Sequence, residues 1–281
     1  MRRDEKSPAA VAVTSWHDQL YLAWTGSDMH VNLASSPDGR AITGKQRTAQ
    51  RSYHVGGGRA PEKIAVAPAL AVSGERLYLA WTDSDYALNL LAAEHPADAA
   101  PVTLNEPSLD SPSLMTAGDD NLMLAWTGRS FHVNLLTLAA DSSGVPVPLE
   151  GAKTRFEKAK SYHAPAICSH RGSLVLAWTG SDRHVNILTG AGDPYGAPTQ
   201  LKQAKSNHAP AVCSHQGSLV LAWTGTDRHV NILTGAGDPY GAPTQLEQLK
   251  SGSAPALCSH QGSLIIAWSG TDHHLNMARL R

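Results

Sequence analysis

The chain is poor in what several function classes require. Three cysteines among 281 residues cannot build a disulfide framework. Positive charge is not in excess: 23 Lys and Arg face 24 Asp and Glu, a net charge of −1, which excludes the basic surface of a nucleic-acid binder. No apolar run approaches the ~18–20 residues of a membrane span. The first twenty residues do not read as a secretion signal, because Arg2 and Arg3 are followed at once by Asp4 and Glu5, and the apolar stretch Ala9 to Val13 is too short for an h-region. The expectation is a soluble, cytoplasmic globular protein that engages neither nucleic acid nor membrane. Its 42% hydrophobic residues suffice for a sizeable core.

What the sequence does have is a repeat, and such self-similarity decides the fold before local propensity does. The string Leu-x-Leu/Ile-Ala-Trp-Thr/Ser is centred on Trp24, Trp81, Trp126, Trp178, Trp223 and Trp268, at spacings of 57, 45, 52, 45 and 45 residues. The unit is therefore 45 residues, with an insertion around Val55 to Ala65 that contains Gly56-Gly57-Gly58 and reads as a flexible loop. Residues 171–201 and 216–246 differ only at Arg171/Gln216 and Ser181/Thr226, which marks a recent duplication.

Each unit reads as four short strands. In the fifth copy these are Ala209 to Cys213, Ser218 to Trp223, His229 to Thr234 and a weak run from Pro243 to Leu246, separated by turns rich in Gly, Asp and Pro. No ten-residue window is left for a helix. The second strand is apolar on both faces, with Leu219, Leu221 and Trp223 on one and Val220 and Ala222 on the other, so it must lie between two sheets. Four strands per ~45 residues, repeated, is a β-propeller blade. The predicted fold is all-β: one six-bladed propeller with blades at 7–50, 51–108, 109–156, 157–203, 204–248 and 249–281. The sixth unit stops after its third strand, and residues 1–6 (Met-Arg-Arg-Asp-Glu-Lys) make a poor replacement for the fourth. The outer strand of that blade is expected to be thin or missing, its edge guarded by charge or by a partner copy in a homodimer.

The Ala-Trp-Thr-Gly-x-Asp-x-x-x-Asn core, followed in the first copy by Ser36-Pro37-Asp38-Gly39, resembles bacterial propeller repeats of the sialidase-like type. Ser36 to Gly39 is a shortened form of the Asp box, without its following Trp, and later copies carry Asp193-Pro-Tyr-Gly196 and Asp238-Pro-Tyr-Gly241 instead. The resemblance implies the propeller fold and places that turn between the third and fourth strands. Sialidase chemistry would further need an arginine triad, a tyrosine nucleophile and an acid, which the repeats do not supply. A second resemblance, to propeller lectins, implies sugar binding between blades or on loops.

By analogy with other propellers, the turns between strands two and three share one face with the blade-linking loops. The turns carry Asp28, Asp85, Asp182, Asp227 and Asp272, then His30, His132, His184, His229 and His274; the loops carry Tyr53-His54, Tyr162-His163 and Asn207-His208. Much of this is blade structure. A turn Asp accepts backbone N–H groups, the recurring Asn (Asn32, Asn89, Asn134, Asn186, Asn231, Asn276) should tie neighbouring strands, and the Trp should pack blade on blade. The position that varies is more informative: Met29, Tyr86, Phe131, Arg183, Arg228 and His273. A tip free to change does not hold the blade together. One sector therefore offers Tyr86, Phe131 and Arg129, and the opposite one Arg183, Arg228 and His273/His274.

Two functions fit. In a carbohydrate-binding module, Tyr86, Arg129, Phe131, Asp182, Arg183, His184, Asp227, Arg228, His229, Asp272, His273 and His274 would contact a glycan or other small polar ligand, and near-identical blades would multiply weak sites. In an enzyme, one axial pocket would use His163, His208, His54, Tyr162 and Tyr53 as acid–base groups with the arginines as substrate clamps and the insertion as a lid. A protein scaffold is the third option. No cofactor motif is present; a metal held by His54, His163 and His208 is the one ligand set the loops suggest. Cys168, Cys213 and Cys258 read as small buried fillers, and His170, His215 and His260 as solvated turn residues on the opposite face.

Overall fold

A computed structural model of the chain describes residues 2–39, 41–56, 62–92, 100–118, 121–141, 144–190, 196–235 and 241–280, with side chains from Glu5 onward. The described residues form six four-stranded antiparallel sheets and one two-stranded hairpin, with no helix. Blade 4 shows the plan: Ala166–His170, Ser173–Thr179, His184–Gly190 and Thr199–Lys205, each hydrogen-bonded to the next. In every blade the repeat Trp of the second strand faces the repeat Asn of the third, from Trp24 opposite Asn32 to Trp268 opposite Asn276. The fourth strand of blade 5, expected to be weak, runs the full seven residues Thr244–Lys250.

The ring is closed. Six apolar clusters hold the molecule together, and each straddles one blade boundary: 1/2, 2/3, 3/4, 4/5, 5/6 and 6/1. The two faces of strand Ser218–Thr224 divide as its alternation requires. Leu219, Leu221 and Trp223 pack with blade 4 residues such as Val185 and Ala204, and Val220 and Ala222 with blade 6 residues such as Ile266 and Trp268. In the last cluster Val11, Leu22 and Trp24 of blade 1 meet Ile265, Ala267 and Met277 of blade 6. An open stack would leave that face wet; its burial is what favours closure.

Blade 6 does have an outer strand. Arg2–Lys6 lies beside His274–Leu280, so both ends of the chain share one sheet. The pairing is irregular, with Arg2 opposite Asn276, Lys6 opposite His274 and a shift between them. The strand is thus poor, as its composition suggests, but present. Glu5 on it is bridged by Lys45 of blade 1 at 2.5 Å, a contact that anchors the strand sideways.

First strands of neighbouring blades touch around the axis. Val13, Leu70, Leu114, Ile167, Val212 and Leu257, one from each blade at the same register, line both a cavity of about 350 Å³ on one face and one of about 460 Å³ on the other. The axial channel therefore has an aliphatic waist between two vestibules.

Candidate functional site

The turns between strands two and three and the blade-linking loops share one face and are bonded to each other. In each turn the amide of the tip residue donates to the carbonyl of the residue three before it, as Arg183 N–H does to Gly180 O, and the tip itself is left-handed. Met29, Tyr86, Phe131, Arg183, Arg228 and His273 have φ between 63° and 68°. This is the bulge position that glycine normally takes. The carbonyl of each tip then accepts the N–H of the serine that ends the outer strand: Ser52 to Met29, Ser108 to Tyr86, Ser161 to Phe131, Ser206 to Arg183, Ser251 to Arg228 and Ser7 to His273. The tip backbone does hold the blade together, contrary to the expectation drawn from its variability. Only its side chain is free to vary.

A second ring joins blade to blade. Thr25, Thr82, Thr127, Thr179, Thr224 and Ser269 each donate a hydroxyl to a linking-loop carbonyl of the next blade, at Val66, Asp110, His163, His208, Ser253 and Ser7. These loops are accordingly fixed, and the side chains of His163 and His208 project from pinned backbone.

The turn carboxylates act as the sequence implies. Asp28, Asp182, Asp227 and Asp272 each accept the N–H of the histidine two residues on. A Cβ on the turn glycine at Gly180 would come within 2.8 Å of the Asp182 carboxylate, which explains glycine there. Blade 2 solves the same problem differently: Asp83 replaces that glycine, and its own carboxylate accepts the Asp85 and Ala87 amides. Outside blade 2 the recurring Asn side chain shows no bond to a neighbouring strand among the described residues. Its Nδ2 donates back to the carbonyl two residues earlier in all six blades, and only Asn89 also reaches its outer strand, at Thr103.

Blades 4 and 5 carry a matching polar set. In blade 4, His184 Nδ1 lies 3.1 Å from Asp182 Oδ2, which also accepts Gln200 Nε2 at 2.8 Å. In blade 5 the same bonds join His229, Asp227 and Gln245, at 3.1 and 2.6 Å. Slight burial favours a higher pKa for each carboxyl, but the amide, glutamine and histidine donors hold Asp182 and Asp227 below the ordinary value. With Nδ1–H given to the carboxylate, Nε2 of the neutral imidazole is an acceptor. Arg183 and Arg228 are exposed beside these sets. Blade 6 repeats the pair, with His274 Nδ1 3.4 Å from Asp272 and His273 exposed at the tip. In blade 1 His30 is buried, between the Thr48 carbonyl and Arg51. In blade 3, Ser130 takes the Asp position beside buried His132, and Arg129 is exposed. Gln200 and Gln245 were missed in the sequence, although both follow Pro-Thr in the duplicated segment.

The other sector is aromatic. His54 stacks on Tyr86 at 5.6 Å between centroids, and Phe131 packs edge-on against Tyr162 at 4.9 Å. Phe131 and Tyr162 remain 42% and 58% exposed, an unusual state for large rings. His54 is not the counterpart of His163 and His208. Part of the insertion is a hairpin, Tyr53–Val55 against Lys63–Ala65, that carries His54 away, so Val66 occupies the loop position instead. Gly57 and Gly58 of the insertion lie outside the described residues.

Of the five proposed acid–base residues, only His163 and His208 line the axial vestibule; Tyr53 sits under the Lys63 ammonium at 5.1 Å and Tyr162 against Phe131. Asp110, which the sequence reading passed over, joins the two histidines there. Ser108-Leu109-Asp110 occupies in blade 3 the place of Ser161-Tyr162-His163 in blade 4, a correspondence visible in the repeat. Burial lowers the His208 pKa, His163 and Arg228 lower it further, and Asp110 opposes them. His54 is also lowered by burial against the pull of Asp110. Among the described residues no three His, Cys, Asp or Glu are grouped so as to hold a metal ion.

On the opposite face, His170 and His215 bridge to Ser214 and Ser259 at 2.9 Å, and His260 to Ser15 at 2.8 Å; His260 is buried. These histidines link blades and are not free turn residues. Cys168, Cys213 and Cys258 are free, and burial raises their thiols to about 12, 11 and 12.

No protein-family model matches the chain, and no curated protein matches it in sequence. Solved structures do. AofleA from Arthrobotrys oligospora superposes on all of this chain and 85% of its own length, with TM-score 0.68 and 7% identity. The fucose-specific lectin from Aleuria aurantia matches 99% of this chain and 93% of its own, with TM-score 0.66 and 10% identity. Trypanosoma rangeli sialidase in complex with the inhibitor DANA gives TM-score 0.62 at 11% identity, with this chain spanning 55% of that one. At such identities the likeness establishes the propeller fold.

Proposed function

We propose that the protein is a carbohydrate-binding propeller that takes glycans on the face of the tip residues, with blades 4 and 5 presenting two matching sites. One observation carries this reading: six exposed turns keep a side chain where backbone geometry favours glycine, a placement that costs of order 1 kcal/mol or more each time. A side chain retained at that cost, on a backbone pinned by serine, is presented rather than tolerated. In blades 4 and 5 it is an arginine beside an imidazole with an open acceptor nitrogen and a half-exposed carboxylate, a donor–acceptor mixture suited to vicinal hydroxyls. Tyr86, Phe131 and Tyr162 add faces on which a sugar ring can stack. The structural likeness to fucose-specific lectins is consistent with this use of the fold.

A glycan array followed by calorimetry tests it. At least two glycans per chain are expected, with affinity falling tenfold or more when Arg183 and Arg228 are both replaced by Gly. A single glycan per chain, or affinity untouched by that double replacement, would overturn the reading.

A further inference from the structure

The axial vestibule has a chemistry that the tips do not share. Its walls are mainly the small residues of the recurring Ala-Pro-Ala segments, such as Ala67-Pro68-Ala69 in blade 2 and Ala209-Pro210-Ala211 in blade 5. Blades 1 and 2 contribute only Ala, Pro and aliphatic side chains, so that side of the cavity is apolar. Ionisable groups enter from blades 3, 4 and 5 alone, as Asp110, His163 and His208. The six-fold repeat is thus broken at its own axis, and a ring of six equivalent positions becomes one asymmetric pocket of about 350 Å³.

The three groups are close. Asp110 Oδ2 lies 4.0 Å from His163 Nδ1, and the His163 and His208 rings are 6.5 Å apart between centroids. None is used up by the fold. Asp110 accepts Ser111 N–H and Oγ–H on Oδ1 and Ala164 N–H on Oδ2, which leaves one of a carboxylate's about four acceptor positions. The imidazoles of His163 and His208 take no hydrogen bond from a described residue, since it is their backbone groups that serve Ser161, Ser206, Thr127 and Thr179. Neutral imidazole offers one acceptor nitrogen. A carboxylate and two such nitrogens thus line one pocket, and the 4.0 Å between Asp110 and His163 is a separation that one small donor making ~2.8 Å bonds can bridge.

We propose that this vestibule binds one protonated primary amine, its ammonium held by Asp110, His163 and His208 and its carbon chain against the alanine and proline wall of blades 1 and 2. An ammonium supplies three N–H donors and one positive charge, which matches three acceptors of which one is an anion. An alcohol of the same shape supplies one donor and no charge. The charged groups beside His208 are Asp110 from blade 3 and Arg228 from the blade 5 tip, and His54 from the inserted hairpin lies within reach of Asp110. Acid protonates His208, which then loses its acceptor nitrogen and repels the ammonium, so binding weakens as pH falls. This inference is independent of the glycan reading and concerns different residues.

The test is an NMR titration of the full chain with n-butylammonium and, as the neutral match, n-butanol. Expected are saturation at one butylammonium per chain at pH 7.5, shifts confined to the imidazole signals of His163 and His208 and their neighbours, and at least tenfold weaker binding of butanol. Asp110→Asn should weaken amine binding at least tenfold, and acidification to pH 5 should do likewise. Asp110 also bridges blades, so the double variant His163→Ala/His208→Ala, which spares every backbone bond, gives a second arm with an expected loss of fivefold or more. Equal binding of amine and alcohol, several amines per chain, or full affinity in either variant overturns the proposal. Arg183→Gly/Arg228→Gly weakens glycan binding tenfold or more on the first reading and leaves butylammonium bound on this one, so the two can fail separately.

Discussion

Ser269 Oγ donates to the Ser7 carbonyl at 2.6 Å across 262 residues of sequence, and Ser7 N–H donates to the His273 carbonyl at 2.8 Å. The same two bonds occur at the other blade boundaries within one run of chain. Closure therefore uses no special device. It uses the ordinary joint with one change of register: Ser7 supplies both groups, where in blade 4, for example, Ser161 donates and His163 accepts.

Removing the strand Arg2–Lys6 should accordingly weaken the whole ring rather than fray one edge. Ser269→Ala alone removes one buried hydrogen bond and is expected to cost about 1 kcal/mol. Urea unfolding of the deletion should show a single transition at lower midpoint. A deletion as stable as the parent would show that the 6/1 boundary is not part of the cooperative core.

The six repeat tryptophans should dominate stability. Trp126 is 1% exposed in the cluster joining blades 2 and 3, and Trp126→Ala should cost about 3–5 kcal/mol. Chemical denaturation measures this directly, and a loss under 1 kcal/mol would contradict the packing described.

The tips should show a trade between stability and binding. Arg228→Gly relieves a left-handed non-glycine backbone and should raise stability by roughly 1 kcal/mol while lowering glycan affinity. A substitution that leaves stability unchanged would mean that the turn is not strained.

Acid sensitivity has two sources. The folded pKa values of Asp28, Asp182 and Asp227 are depressed, so their contribution is present above the unfolded value and is lost as pH falls below about 4. His54, His170 and His208 are also lowered. Below about pH 6.5 the unfolded chain takes up their protons first, so stability already begins to decline there. Thermal melts from pH 8 to 3 should fall in two stages, the first reduced by His208→Gln.

The three thiols should be inert. With values pushed to about 11 and 12, Cys168, Cys213 and Cys258 carry almost no thiolate at pH 8. A thiol-reactive chromophore should label the native chain slowly and report three thiols once urea is added; rapid labelling of the folded protein would refute their burial.

Much of the fold was legible in the repeat. The Leu-x-Leu-Ala-Trp string fixes both faces of the second strand, and the spacing of six tryptophans counts the blades. The turn Asp followed by His announces the N–H bond between them. What could not be read was the partner of a side chain in another blade. His170, His215 and His260 look like free turn residues until the next blade brings a serine under each. His54 looks equivalent to His163 because both follow Ser-Tyr, yet the inserted hairpin shifts it out of the loop position. Gln200 and Gln245 were invisible because the strand pairing, not the sequence spacing, brings them beneath the turn.

Alternation and period are local properties, so the chain alone determined the buried faces of the second strand, the places of the turns and the number of blades. The angle at which each sheet meets the next is set by side-chain packing between them, and it decides which loops converge. That is why the six tips could be located from sequence, while the meeting of Asp110, His163 and His208 at the axis, from three different blades, exists only once the ring has closed.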